Sequence, residues 1–100
     1  MALLPKGESK RVSKELSVLN SLGLHARPAA RFVRVVHGFR SEMWIVSNGT
    51  RFHAGRLMDI LLANLDQGAV FTLEAEGPDA EAAVERVERL LVELRNTEDE

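Results

Sequence analysis

The chain has no cysteine, which removes both a disulfide framework and a thiolate metal site and leaves nothing that calls for an oxidising compartment. It also lacks any apolar stretch approaching the length of a membrane span, and the run Met1-Ala2-Leu3-Leu4 is cut by Pro5 before it could form a secretory leader. A cytoplasmic protein without membrane insertion is the expectation. Net charge is small as well: 13 basic and 15 acidic residues leave −2 at pH 7, which argues against a global affinity for nucleic acid or anionic lipid. There is no internal repeat and no low-complexity segment. His37 and His53 have no acidic-pair or second-histidine spacing that would form a metal site or a catalytic triad, so no metal and no cofactor are expected.

What remains is a chain of 100 residues, 45% hydrophobic and 28% charged, enough for one domain with a real core. Residues 1–10 lose periodicity after Pro5 and read as a flexible extension, residues 11–96 as the domain, and residues 97–100 as an acidic tail. Val12, Leu16 and Val18 share one pleat face of a strand, with Lys14 as the flaw. From Ala26 the apolar positions Ala29, Ala30, Val33 and Val36 follow helical spacing up to Gly38. Glu42 to Ser47 and Thr50 to Ala54 form a hairpin around Asn48-Gly49, two residues tolerant of positive φ. Arg56 to Leu65 is a short helix whose apolar residues occupy more than one face, so part of that surface is expected to be exposed. Ala69, Phe71, Leu73 and Ala75 alternate with polar neighbours in a strand, and Ala80, Ala83, Val84, Val87, Leu90, Leu91 and Leu94 form the stripe of a last helix. The order β-α-β-β-α-β-α predicts an α+β open-faced sandwich, an antiparallel sheet covered by helices on one face.

The segment Gly23-Leu24-His25-Ala26-Arg27-Pro28-Ala29-Ala30 carries the chemistry. Pro28 belongs in a first helical turn, where its missing N–H costs nothing, and so places the helix start within a residue or two of His25. The free amides of that turn, those of Ala26 and Arg27 among them, the positive end of the helix and the Arg27 guanidinium then converge on the imidazole. Such a site keeps a neutral ring nitrogen as nucleophile and holds an anion once one is bound to the ring. A lone histidine near a helix start is more often a cap or a surface residue. The combination with Gly23, Arg27, Pro28 and the small alanines is what points to phosphoryl acceptance.

This loop resembles the active-site loop of the histidine-containing phosphocarrier (HPr) family of the bacterial phosphoenolpyruvate-dependent sugar phosphotransferase system. The similarity runs from about Val12 to Leu94 and includes Val46-Ser47-Asn48-Gly49 and Ala75-Glu76-Gly77. The resemblance implies a four-stranded antiparallel sheet with three helices on one side. It implies that His25 receives phosphate at Nδ1 from phosphorylated enzyme I and gives it to enzyme IIA domains, with Arg27 stabilising the transferred group. The protein would then be a covalent carrier in sugar uptake, not a turnover enzyme, and a monomer. Two other readings stay open: a paralogous carrier in a nitrogen-related or regulatory phosphorelay, and an α+β binding module without phosphotransfer.

Basic residues cluster at Lys6, Lys10, Arg11 and Lys14 and again at Arg27, Arg31 and Arg34, which suggests one basic surface. Arg27, Arg31, Arg34 and His37 recur at helical steps along one face beside His25, where an acidic partner would fit; the arginines could equally just solvate the helix. Leu24, Arg56, Leu57 and Met58 complete the expected partner-binding set, with core packing as the other role for Leu57 and Met58. Trp44 is expected to pack. In Gram-positive members of the family a serine opening the second helix is phosphorylated by a dedicated kinase. Here that position is Arg56, so that control is expected to be absent.

Overall fold

The computed structural model describes residues 10–97. The proposed acidic tail, apart from Thr97, and the proposed extension, apart from Lys10, lie outside the described residues. The elements run β1 (Lys10–Ser17), α1 (Ala26–His37), β2 (Glu42–Ser47), β3 (Thr50–His53), α2 (Leu57–Ala63), β4 (Val70–Gly77) and α3 (Ala80–Asn96). Their succession β-α-β-β-α-β-α is the one that the periodicity predicts, and in space they form a four-stranded antiparallel sheet in the order β1-β4-β2-β3, with three helices. At the hairpin, Asn48 and Gly49 have φ of 51° and 80°, the positive pair that a two-residue turn needs to match strand twist.

The core lies between the sheet and the helices. Met43, Ile45, Phe71, Leu73 and Ala75 point inward from β2 and β4, and the whole predicted stripe of α3 is buried against them. Each large side chain so removed from water contributes about 1.5–3 kcal/mol before ordering costs. In α1 the buried positions are Ala29, Phe32 and Val36, while Ala30 and Val33 are only half-buried. The alanine-based stripe of the sequence therefore turns to seat Phe32, the largest apolar side chain of that helix.

Lys14 explains itself in three dimensions. It lies on the helix-covered side of β1, opposite Leu73, and reaches Glu88 of α3 at 2.8 Å, so its ammonium is paired at the exposed margin of that face. Lys10 pairs with Glu81 and Arg11 with Glu76. The basic residues of β1 are thus each matched by a carboxylate and do not join those of α1 in a single unpaired surface, as had been expected from their clustering. On the opposite face of the sheet the Arg51 guanidinium lies 4.0 Å over the Trp44 ring, and His53 meets the same ring edge-on. Trp44 packs, but on the uncovered face and not in the core.

Asp79 joins β2 to α3. Its carboxylate accepts hydrogen bonds from the Arg40 and Ser41 amides, both at 2.9 Å, and from the Ser41 hydroxyl at 2.6 Å. The Arg40 amide, followed by the Ser41 hydroxyl, holds its pKa below the ordinary 3.8.

Candidate functional site

The loop before α1 is built by short-range turn bonding and one long-range clamp. Asn20 and Gly23 close on each other through Gly23 N–H to the Asn20 carbonyl at 3.2 Å and Asn20 Nδ2 to the Gly23 carbonyl at 3.0 Å. Leu24 is fully buried, and its N–H donates to the Leu65 carbonyl just past α2 at 2.9 Å. Gly23 makes this meeting possible. Its φ is +68°, and a Cβ there would stand 2.6 Å from the Leu65 oxygen and 3.0 Å from the Asp66 Cα. A bare backbone is needed for both conformation and space.

His25 follows as the N-cap of α1, extended at φ −115° and ψ 157°, and its ring makes no capping bond. The side chain is 43% exposed, so a partner can reach it. Ala26 adopts φ 42°, a left-handed conformation that costs an L-residue roughly 1–2 kcal/mol. The first helical hydrogen bond comes only at Ala29 N–H to the His25 carbonyl. The Ala26 and Arg27 amides make no backbone hydrogen bond among the described residues, and Pro28 has no N–H to offer. No acidic residue occupies the first turn of α1, which leaves its positive end open to an incoming anion. Arg27 is exposed and makes no hydrogen bond or ion pair among the described residues, so its fork is also available.

A family model described as the PTS HPr component phosphorylation site matches residues 12–93. The chain belongs to the HPr phosphocarrier family. Among HPr proteins it is 38% identical over 82 residues to that of Haemophilus influenzae, covering 82% of this chain and 96% of the relative. To the HPr of Buchnera aphidicola subsp. Acyrthosiphon pisum it is 43% identical over 72 residues, covering 72% and 85%. In three dimensions it matches a crystal structure of an HPr from Bacillus anthracis with a TM-score of 0.78 at 34% identity, over 80% of this chain and 95% of that one.

Within this HPr fold the residues expected around His25 divide into groups. Arg34 is exposed and makes no ion pair among the described residues, whereas Arg31 is committed to Glu93 of α3 at 2.9 Å, a carboxylate that Arg86 also approaches. His37 donates from Nε2 to the Gly55 carbonyl at 2.8 Å and so ties the end of α1 to the start of α2. Arg56 is the exposed N-cap of α2, and Leu57 and Met58 behind it are 41% and 65% exposed. Leu24 is a correction: a side chain with no exposed surface anchors the loop to the core and cannot touch a partner.

Three residues escaped the sequence reading. Leu62 is 66% exposed one helical turn after Met58, and Leu22 is 58% exposed in the loop before His25, so the apolar surface is larger than Leu57 and Met58 alone. The spread of apolar residues over more than one face of α2 announces some exposed surface there, without singling out Leu62. The third is Asp66, whose Oδ1 lies 2.9 Å from Nε2 of His25; nothing local to either residue announces that contact. Among the described residues no group of three or more histidine or acidic side chains could hold a metal, and no helix is long and apolar enough to cross a membrane.

Proposed function

We propose that this chain is a cytoplasmic phosphocarrier that accepts a phosphoryl group on Nδ1 of His25 from phosphorylated enzyme I and donates it to an enzyme IIA domain in sugar uptake. The observation that carries this reading is the half-exposed His25 ring at the head of α1, beside two amides and an Arg27 guanidinium that have no other partner among the described residues. The ring attacks phosphorus, the donor's bond to phosphorus breaks, and the phosphoryl oxygens are received by the Ala26 and Arg27 amides and the Arg27 guanidinium. Among the described residues those donors make no other hydrogen bond, so little reorganisation precedes the transfer. Arg34 and Arg56, exposed and without an ion pair among the described residues, form with exposed Leu57 and Met58 the surface on which acidic partners dock. With Arg56 in place of a hydroxyl, phosphorylation at the head of α2 is absent.

Incubating the protein with enzyme I, magnesium and phosphoenolpyruvate should yield one equivalent of acid-labile phosphate, and His25→Ala should abolish it. Label that persists in the variant, or that maps to His37 or His53, removes His25 from the role. Arg27→Ala should slow transfer about tenfold or more with an unchanged urea midpoint, since its contribution is electrostatic and exposed. Transfer to a purified sugar-specific IIA domain, and not only to a nitrogen-related one, distinguishes the sugar branch.

A further inference from the structure

We propose that Asp66 is a positioning residue for phosphotransfer, accepting the Nε2–H of His25 so that the neutral ring presents its lone pair at Nδ1. The inference rests on His25 being the phosphoryl acceptor. The contact is 2.9 Å long and joins residues 41 apart in sequence. An ionised carboxylate has no hydrogen to give, so the bond runs from Nε2–H to Oδ1. In a neutral imidazole one nitrogen holds the hydrogen and the other the lone pair, so a hydrogen kept on Nε2 leaves Nδ1 bare.

The backbone around Asp66 is fixed from several sides. The Leu65 carbonyl takes the Leu24 N–H, the Asp66 carbonyl takes the Ala69 N–H, and Gly68 N–H donates to Val18, each at 2.9 Å. The missing Cβ of Gly23 lets the two segments abut, since a methyl there would come within 3.0 Å of the Asp66 Cα and 3.3 Å of the His25 ring. A carboxylate carried on a pinned backbone selects one tautomer and one ring orientation.

The chemistry balances with this proton left in place. The Nδ1 lone pair attacks the donor's phosphorus, an N–P bond forms, and the bond from phosphorus to the donor's leaving atom breaks with its electron pair departing on the donor. Nδ1 has no proton to shed and Nε2 keeps its own, so the ring gains positive charge as the transfer proceeds. The Nε2–H···Asp66 bond therefore strengthens from ground state to transition state, which is where an interaction accelerates a reaction. Asp66 thus serves the ring's Nε2 while the amides and Arg27 serve the phosphoryl group.

The test uses the full chain with its histidine ring nitrogens observed by ¹⁵N NMR at a pH where the His25 ring is neutral. Wild type should show Nε2 protonated and Nδ1 bare. In Asp66→Asn, where the amide can donate as well as accept and carries no charge, the two signals should move toward averaged values. Its enzyme I-dependent phosphorylation rate should fall about three- to tenfold, less than a buried charge-assisted bond would give because solvent screens a contact whose His25 and Asp66 side chains are 43% and 72% exposed, with the urea midpoint unchanged. Asp66→Glu, which keeps a carboxylate, should recover part of the rate. A wild type that never labels sinks the acceptor reading itself. Normal labelling of wild type, together with Asp66→Asn signals or rates indistinguishable from it, overturns the positioning role and leaves His25 as acceptor.

Discussion

Replacing Gly23 by alanine tests the clamp that brings the loop before α1 against the end of α2. Placing an L-residue in the left-handed region costs about 1–2 kcal/mol, and roughly 0.4–1 kcal/mol of that is offset because alanine narrows the unfolded ensemble. At Gly68, where φ is +86° and nothing lies within 4 Å of the added methyl, the net cost should stay near 1 kcal/mol. At Gly23 the same cost is joined by an overlap, because the methyl would stand 2.6 Å from the Leu65 oxygen. That oxygen accepts the Leu24 N–H at 2.9 Å, so it cannot withdraw without loosening the bond that holds the loop. Overpacking of this kind adds about 1–3 kcal/mol, for a total near 2–4 kcal/mol. With a urea slope of about 1 kcal/mol/M, Gly23→Ala should lower the far-ultraviolet circular dichroism midpoint by about 2–4 M, and Gly68→Ala by about 1 M. The folded fraction of Gly23→Ala should also accept phosphate more slowly, since the methyl presses on the His25 ring at 3.3 Å. Equal midpoint shifts for the two variants would refute the steric reasoning, whatever happened to transfer.

Two further expectations concern stability. Asp79 has a folded pKa held below 3.8 chiefly by the Arg40 amide, so its contribution is present above the unfolded value and is lost as pH falls through the folded one. Urea midpoints of wild type should therefore decline more steeply below about pH 4 than those of Asp79→Asn, and parallel declines would exclude Asp79 as an acid-sensitive tie. Phe32→Ala should cost about 3–5 kcal/mol, because the ring is fully buried where α1 meets the core. A loss under about 1 kcal/mol would mean that α1 is seated by other contacts.

The elements that rest on local rules were readable. Period-two alternation gave β4, and the stripe from Ala80 to Leu94 gave α3, because each pattern reports which face of its own segment avoids water. Asn48-Gly49 announced the hairpin through its tolerance of positive φ, and Pro28 announced the start of α1 and therefore the place of His25. Where reading by segment fell short, the missing information lay in another segment. Lys14 looked misplaced until Glu88 of α3 came to meet it, and Arg31 looked free until Glu93 did. Leu24, expected in the partner-binding set, is instead fully buried, its N–H bonded to the Leu65 carbonyl of a distant segment. Ala26 carries no sign of the left-handed backbone imposed on it, since alanine disfavours that region and only surrounding structure can hold it there.

For this protein, the order of its elements, the turn between β2 and β3, and an imidazole at a helix start beside Arg27 were determined by the sequence alone. These follow from side-chain periodicity and backbone preferences that act over a few residues. Only the tertiary structure decided the strand order β1-β4-β2-β3, the pairing of the basic side chains, and the arrival of Asp66 at Nε2 of His25. Such meetings depend on how distant segments close on one another, and no local pattern of residues encodes where a chain will return.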